Sequence, residues 1–115
     1  MSLNLQYFAA PAVTALALLS AGPSVAADVD ADAAQALAKS SNCLKCHAID
    51  KKKDGPSFKE TATKFKGQAG AEDEVYKRMT VATKVKVDGE EQEHQVVKSK
   101  DEAAIRNLGR WILSR

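Results

Sequence analysis

The chain has 115 residues, of which 44% are hydrophobic and 28% charged, the composition of one small globular domain. Its 17 Lys and Arg residues against 15 Asp and Glu residues give a net charge of +2, which excludes a strongly basic nucleic-acid binder and an acidic solvating tail. Aromatic residues make up only 5%, and a domain this small often needs a metal, a disulfide or a cofactor for stability.

Residues 1–27 are predicted to be a cleaved signal peptide, and residues 28–115 the mature domain. No charged side chain precedes Asp28, residues 9–21 form an apolar run, and residues 24–27 supply the small side chains of a signal-peptidase site. The absence of Lys and Arg before the run departs from the usual pattern. An uncleaved membrane anchor and a misassigned start codon are the alternatives, although Pro11 and Pro23 interrupt a stretch shorter than the ~20 apolar residues of a spanning helix. Export would place the domain in the oxidising bacterial periplasm.

Residues 31–41 are predicted to form the first helix. Three acidic residues, Asp28, Asp30 and Asp32, place negative charge at its N-terminus. The helical spacing predicts one shared face for four residues: Ala33, Leu37, Ser40 and Leu44.

The stretch Cys43-Leu44-Lys45-Cys46-His47 is the most diagnostic motif in the chain. C-x-x-C-H is the attachment signature of haem c. Two thiols three residues apart on a helical turn can each add across one haem vinyl group, and the following histidine can then bind the iron. We therefore predict one covalent haem c on Cys43 and Cys46, with His47 as the proximal axial ligand.

Three other interpretations of the two cysteines remain. A thioredoxin-like C-x-x-C requires a preceding strand, whereas helix is predicted here. A disulfide across so short a loop would constrain the unfolded chain little. A zinc site would use both cysteines with His47 and His94, but the adjacent Cys46 and His47 do not match the usual zinc-finger spacing.

Three further helices follow. A capping box at Ser57 and Glu60 begins the second, and a cluster of acidic residues from Glu72 begins the third. Their predicted apolar stripes comprise Phe58, Ala62 and Phe65, then Val75, Met79 and Ala82. The last helix is predicted to begin with a capping box at Ser99 and Glu102. Its stripe contains Ala104, Ile105, Leu108, Trp111 and Ile112.

A β-hairpin is predicted between the third and last helices, over about residues 84–97. Asp88-Gly89 is the preferred pair of a two-residue type I′ turn. With that turn, Lys84 and Lys86 lie on one face with Glu91 and Glu93. The opposite face carries Val85, Val87 and His94, and Val96 continues it.

At this point the chain resembles a class I c-type cytochrome of the small bacterial kind, from Asp30 to the C-terminus. The resemblance rests on the haem motif, Gly55-Pro56 and a C-terminal helix ending Trp111-Ile112-Leu113-Ser114. It implies an all-α fold of about four short helices around one haem, with the hairpin added. It further implies that the Pro56 carbonyl accepts a hydrogen bond from His47, and that Leu37, Leu108 and Trp111 pack near the haem.

The distal ligand departs from the family pattern, which supplies a methionine from a proline-containing loop. No proline follows Pro56, and Met79 is the only methionine after Met1. Met79 lies on an apolar helical stripe, where methionine more often fills a core. His94 lies on the apolar face of the hairpin, 17 residues before Trp111, so we predict that His94 is the distal axial ligand; a surface histidine is the alternative.

The predicted function is therefore electron transfer, without enzymatic activity, between periplasmic or membrane-bound redox proteins. We expect a monomer that binds no nucleic acid and meets a membrane only transiently or through a partner. The alternative is a haem protein with an open or labile distal site for a small gas or peroxide. Lys45 and Lys51–Lys53 could steer an acidic partner, or could simply be a solvated loop.

Overall fold

The structure, a computed structural model, describes residues 28–115. The predicted signal peptide therefore lies outside the described residues. Five helices and one hairpin follow in chain order: α1 Ala31–Ser40, α2 Cys43–Cys46, α3 Phe58–Phe65, α4 Ala71–Thr80, β1 Lys84–Val87, β2 Glu90–Glu93 and α5 Glu102–Leu113. This confirms the mostly helical fold with a short hairpin, the haem-motif turn α2 being the extra helix. None of the helices among these residues has the length and apolar character required to cross a membrane.

Helix α1 begins where predicted but turns a different face to the core. The Asp30 carboxylate accepts a hydrogen bond from the backbone N–H of Ala33 at 2.9 Å and caps the helix. Ala34 and Ala38 are fully buried, whereas Leu37 is only partly buried and Leu44 is 39% exposed. The predicted face through Leu44 is therefore wrong. The two alanines allow α1 to approach α5 closely, because they carry no side chain beyond Cβ.

The capping box of α3 is confirmed. The Glu60 carboxylate accepts a hydrogen bond from the Ser57 backbone N–H at 2.7 Å, and the Ser57 hydroxyl accepts one from the Glu60 N–H at 3.0 Å. The predicted capping box of α5 is wrong. Asp101, not Ser99, caps that helix, and its carboxylate accepts from two N–H groups of the first turn. Aspartate and serine suit the capping position about equally, and the backbone places Asp101 there, so the helix begins two residues later than predicted.

The hairpin has the predicted register. Val87 pairs with Glu90 and Lys84 with Glu93, in an antiparallel ladder closed by Asp88 and Gly89. Both turn residues have positive φ, 52° and 84°, as a type I′ turn requires. The ladder ends at Glu93, earlier than predicted.

The chain beyond the ladder turns back onto α4 and α1. The N–H of Val97 donates to the Met79 carbonyl at 2.8 Å, and the N–H of Lys98 donates to the Ser41 hydroxyl at 3.0 Å. These bonds bury Val97 to 8% exposure and leave Val96 at 40%. The prediction that Val96 continues the apolar face is therefore wrong, because the alternation of a strand does not persist where the ladder stops.

Helix α5 forms the centre of the core, and α1, α3 and α4 pack against it. Its buried stripe is as predicted, with the partly buried Ala104 at its edge: Ile105, Leu108, Trp111 and Ile112. Asn107 joins α5 to the start of α1, donating to the Asp30 carbonyl at 2.8 Å and accepting from the Asp30 N–H at 2.9 Å. The helical core thereby leaves one side of the molecule for the hairpin and the haem motif.

Candidate functional site

The single-turn helix α2 displays the two cysteines. Asn42 enters it in the left-handed conformation, with φ 61°, which lets the chain turn sharply out of α1. Both thiols are free; Cys43 is half-buried and Cys46 is exposed. Burial raises the pKa of the Cys43 thiol, so in the protein without haem this thiol is held in its neutral form.

The His47 ring is held from two sides. Its Nδ1 forms a hydrogen bond of 2.7 Å with the Pro56 carbonyl oxygen, the contact that the family resemblance implies. Its other neighbour is the Phe58 ring, stacked at 5.7 Å between centroids. Because Nδ1 donates to a carbonyl, Nε2 is the nitrogen with a free lone pair, and this is the nitrogen that can bind iron.

The loop between His47 and α3 is tied back to the haem motif. The N–H of Gly55 donates to the Cys46 carbonyl at 2.8 Å. The Lys53 ammonium donates to the Leu44 carbonyl at 2.8 Å, which satisfies a free carbonyl of α2. Lys53 therefore has a structural role. Of the run Lys51–Lys53, only the other two side chains lack such a contact with the backbone of α2.

One cavity of about 360 Å³ brings the candidate residues together. Both cysteines, both histidines, Pro56 and Met79 contribute to its wall. The hairpin forms the side opposite α2, and its apolar contribution is Val85 and Val87. The cavity falls within the 300–1,000 Å³ typical of cofactor sites. The predicted clustering of the haem-motif residues with the hairpin is therefore present in the fold.

The two histidine rings lie close together in this cavity, in an edge-on arrangement. Their centroids are 6.1 Å apart and their planes 69° apart. Two metal–imidazole bonds of about 2 Å each, with the half-widths of two rings, span roughly the same distance. Burial lowers the pKa of His94, and the nearby His47 and Arg78 lower it further, which favours the neutral imidazole that binds metals. Nδ1 of His94 is buried and has no hydrogen-bond partner among residues 28–115. This residue set fits a haem iron between the rings.

Met79 also contributes to the cavity wall, but it is packed as a core residue. It is buried, and its Cε methyl lies against α5 next to Gly109, where an added Cβ would approach it to 3.3 Å. The apolar end of the Met79 side chain is therefore packed inside the core, as is usual for a methionine that fills a gap between helices.

Within residues 28–115, the wall of the cavity does not include the three residues predicted to pack near the haem: Leu37, Leu108 and Trp111. Leu108 and Trp111 are almost completely buried in the helical core, and Leu37 packs against that cluster. Trp111 reaches the site indirectly, through an edge-to-face contact with Phe58 at 5.5 Å. Direct packing of these three residues on a haem stays a prediction.

Several residues of the site have contacts that were not predicted from the sequence. Gly55 is the clearest: a Cβ at this position would lie 2.6 Å from His47 Cε1, so the histidine ring occupies the space that a larger residue would take. Phe58 and Arg78 also line the cavity. Adjacency of Gly55 to Pro56 was the available signal, but the contact with His47 arises only from the folding of the intervening loop.

The zinc alternative gains no support from the fold. No group of three or more Cys, His, Asp or Glu side chains within residues 28–115 has an arrangement suited to a metal ion.

Comparison with known proteins gives a consistent picture. Residues 31–115 match the family model described as Cytochrome c. Cytochrome c-551 of Pseudomonas aeruginosa is 39% identical over 100 residues, covering 87% of this chain and 93% of that protein. Cytochrome c-551 of Azotobacter vinelandii is 40% identical over 81 residues, covering 68% and 92%. The crystal structure of the class 1 cytochrome MtoD from Sideroxydans lithotrophicus ES-1 matches with a TM-score of 0.72 at 49% identity, covering 76% of this chain and 97% of that one.

Proposed function

Because the chain belongs to the cytochrome c family, as a small monohaem class I member, we propose that it shuttles single electrons in the periplasm with His47 and His94 as its axial ligands. It is an electron-transfer protein that carries one covalently attached haem c. The single observation that carries the ligand assignment is the pair of imidazole rings in the cavity, whose centroids lie 6.1 Å apart.

Cys43 and Cys46 would hold the haem. Each Sγ–H would add across the double bond of one haem vinyl group, with the sulfur bonding to one vinyl carbon and the hydrogen going to the other. Both thiols are free and both contribute to the cavity wall, in keeping with this role. His47, the next residue, is oriented by its bond to Pro56, and that bond also raises the basicity of the ligand.

His94 would close the distal side. Its ring lines the cavity, and burial lowers the pKa of His94, which favours the neutral imidazole. With two protein ligands the iron would have no coordination site for oxygen or peroxide, and its chemistry would be electron exchange. An imidazole in place of a thioether favours the ferric state, and we expect a reduction potential below that of His/Met relatives. Met79, with its methyl packed beside Gly109, is the poorer candidate.

The experiment that tests this assignment compares the His94→Ala and Met79→Leu holoproteins. His94→Ala should turn a six-coordinate low-spin haem into a five-coordinate one that binds carbon monoxide in the ferrous state, as optical and EPR spectra would show. Met79→Leu is the matched control; it should keep the spectra and lose less than about 1.5 kcal/mol of stability, as a volume-conserving core change.

Other results would point to other ligand sets. A wild-type sulfur-to-iron charge-transfer band that disappears in Met79→Leu would identify methionine as the ligand. Wild-type protein that is high-spin and binds carbon monoxide would favour the alternative function, a haem with an open distal site for small ligands.

The periplasmic part of the proposal rests on the residue pattern before Asp28 and on the chemistry of thioether attachment. N-terminal sequencing of the protein isolated from a periplasmic fraction tests it. A mature chain beginning at Ala27 or Asp28 is expected, and retention of the apolar run in a membrane fraction would contradict it.

A further inference from the structure

The two histidines differ in how their second ring nitrogen is used. Nδ1 of His47 is bonded to the Pro56 carbonyl at 2.7 Å, whereas Nδ1 of His94 is buried with no partner in the described part of the chain. Buried polar groups are nearly always hydrogen-bonded, so an unpartnered nitrogen on a cavity wall indicates a bond that a small rearrangement completes.

Within residues 28–115, the last turn of α4 contains an unpartnered acceptor, in a residue that lines the same cavity as His94. Helix-terminal carbonyls lack intrahelical donors and take partners from elsewhere. The Lys77 carbonyl accepts from the Val81 N–H at 2.9 Å, and the Met79 carbonyl accepts from the Val97 N–H at 2.8 Å. Between them, the Arg78 carbonyl receives no hydrogen bond from residues 28–115.

The chain segment that carries His94 is fixed against this helix end. The His94 N–H donates to the Thr83 carbonyl at 2.7 Å, and three residues later Val97 is bonded to Met79. Arg78 and His94 contribute to the same cavity wall.

We propose that, in the haem-loaded protein, the Nδ1–H of His94 donates a hydrogen bond to the main-chain carbonyl oxygen of Arg78. This inference rests on the proposed distal ligation by His94. It makes Arg78 a positioning residue that acts through its backbone. The bond would leave the Nε2 lone pair for the iron and fix the ring orientation, as the Pro56 carbonyl does on the proximal side. The acceptor belongs to the negative end of the α4 dipole, which further increases the basicity of the ligand.

NMR of the ferrous holoprotein can detect this bond directly. The chain has two histidines, and its four arginines are Arg78, Arg106, Arg110 and Arg115. Protein labelled with ¹⁵N-histidine and ¹³C-carbonyl arginine should show a coupling across the hydrogen bond from His94 Nδ1 to one arginine carbonyl. A ¹³C-carbonyl proline sample gives the matched control, the coupling from His47 Nδ1 to Pro56.

The Arg78→Ala variant assigns the acceptor. It removes the guanidinium but keeps the carbonyl at residue 78. In the arginine-labelled sample the coupling should therefore disappear, while the Nδ1–H of His94 should still exchange with solvent as slowly as that of His47. Loss of slow exchange in this variant would instead assign the effect to the side chain and overturn the proposal.

The results for the wild-type protein distinguish the proposed hydrogen bond from the ligand assignment on which it rests. An iron-bound Nε2 of His94 with a slowly exchanging Nδ1–H supports the proposal. An iron-bound Nε2 whose Nδ1–H exchanges much faster than that of His47 overturns it and leaves the ligand assignment standing. A His94 ring that is not bound to iron contradicts the ligand assignment itself.

Discussion

At Gly55 the backbone lies against the imidazole of His47, so the size of this residue controls the position of the ring. The Cβ of an alanine would lie 2.6 Å from His47 Cε1, which is possible only if the ring or the loop moves. We expect Gly55→Ala to lower the free energy of unfolding of the holoprotein by about 1–3 kcal/mol, the usual cost of overpacking. It should also weaken the bond to Pro56 and change the haem spectrum. Denaturant titration and optical spectra test both effects.

The same substitution at Gly109 is the control. There the added Cβ would approach the flexible end of Met79 to 3.3 Å and would lie 3.6 Å from Val75 Cγ1, an ordinary van der Waals distance. In the middle of α5, alanine stabilises a helix by about 1 kcal/mol relative to glycine, so Gly109→Ala should be neutral or stabilising. Equal losses from both variants would mean that Gly55 has no specific relation to His47.

Residues whose identity is dictated by chemistry could be predicted from the sequence, whereas residues whose burial depends on packing could not. The haem motif was recognisable because thioether chemistry requires two thiols beside a histidine. Burial of Ala34 and Ala38 instead of Leu44 was not predictable, because it depends on how closely α1 approaches α5. The contact of Gly55 with His47 likewise exists only after the loop folds.

The capping box of α3 makes the free energy of unfolding depend on pH in the acid range. The Ser57 backbone N–H holds the pKa of Glu60 below its ordinary value. Because the pKa is lower in the folded than in the unfolded protein, the stabilisation is complete above the unfolded-state pKa and is lost as the pH falls through the folded-state pKa.

The Glu60→Gln variant tests this dependence. The difference in unfolding free energy between wild type and variant should be constant near neutral pH and shrink towards acid pH, as denaturant titrations at several pH values would show. Glu90→Gln, at an exposed hairpin position, is the control. Its free energy of unfolding should fall towards acid pH as steeply as that of the wild type. A wild-type and Glu60→Gln difference that does not vary with pH would refute the role of the carboxylate.

The hairpin shows which elements a sequence can specify. Its register followed from Asp88-Gly89, because a two-residue turn leaves one pairing for the flanking residues, and the structure has that pairing. Its end did not follow, because after Glu93 the chain leaves β1 and Val97 bonds to Met79 on another element. The start of α5 was misassigned for a local reason: Ser99 and Asp101 both suit the capping position, and only the backbone path selects Asp101.

The net charge of the molecule determines how strongly two copies repel one another in solution. The chain has a net charge of +2, which two haem propionates would cancel, so long-range repulsion between copies should be weak. The charges on the outer side of the hairpin are also balanced, as in the 3.5 Å pair of Lys84 and Glu91. An electron carrier of this kind should exchange electrons with its own oxidised form at a rate that depends little on salt.

Self-exchange between ferrous and ferric protein, measured by NMR at increasing ionic strength, tests this expectation without knowledge of a partner. The control variant combines Lys51→Glu and Lys52→Glu, which lowers the net charge by about 4 units and leaves the structural contact of Lys53 intact. Salt should accelerate self-exchange in this variant, because screening relieves the repulsion between like-charged copies within a Debye length of about 10 Å. A strong acceleration already in the wild type would mean that the contact surface carries concentrated charge despite the neutral total.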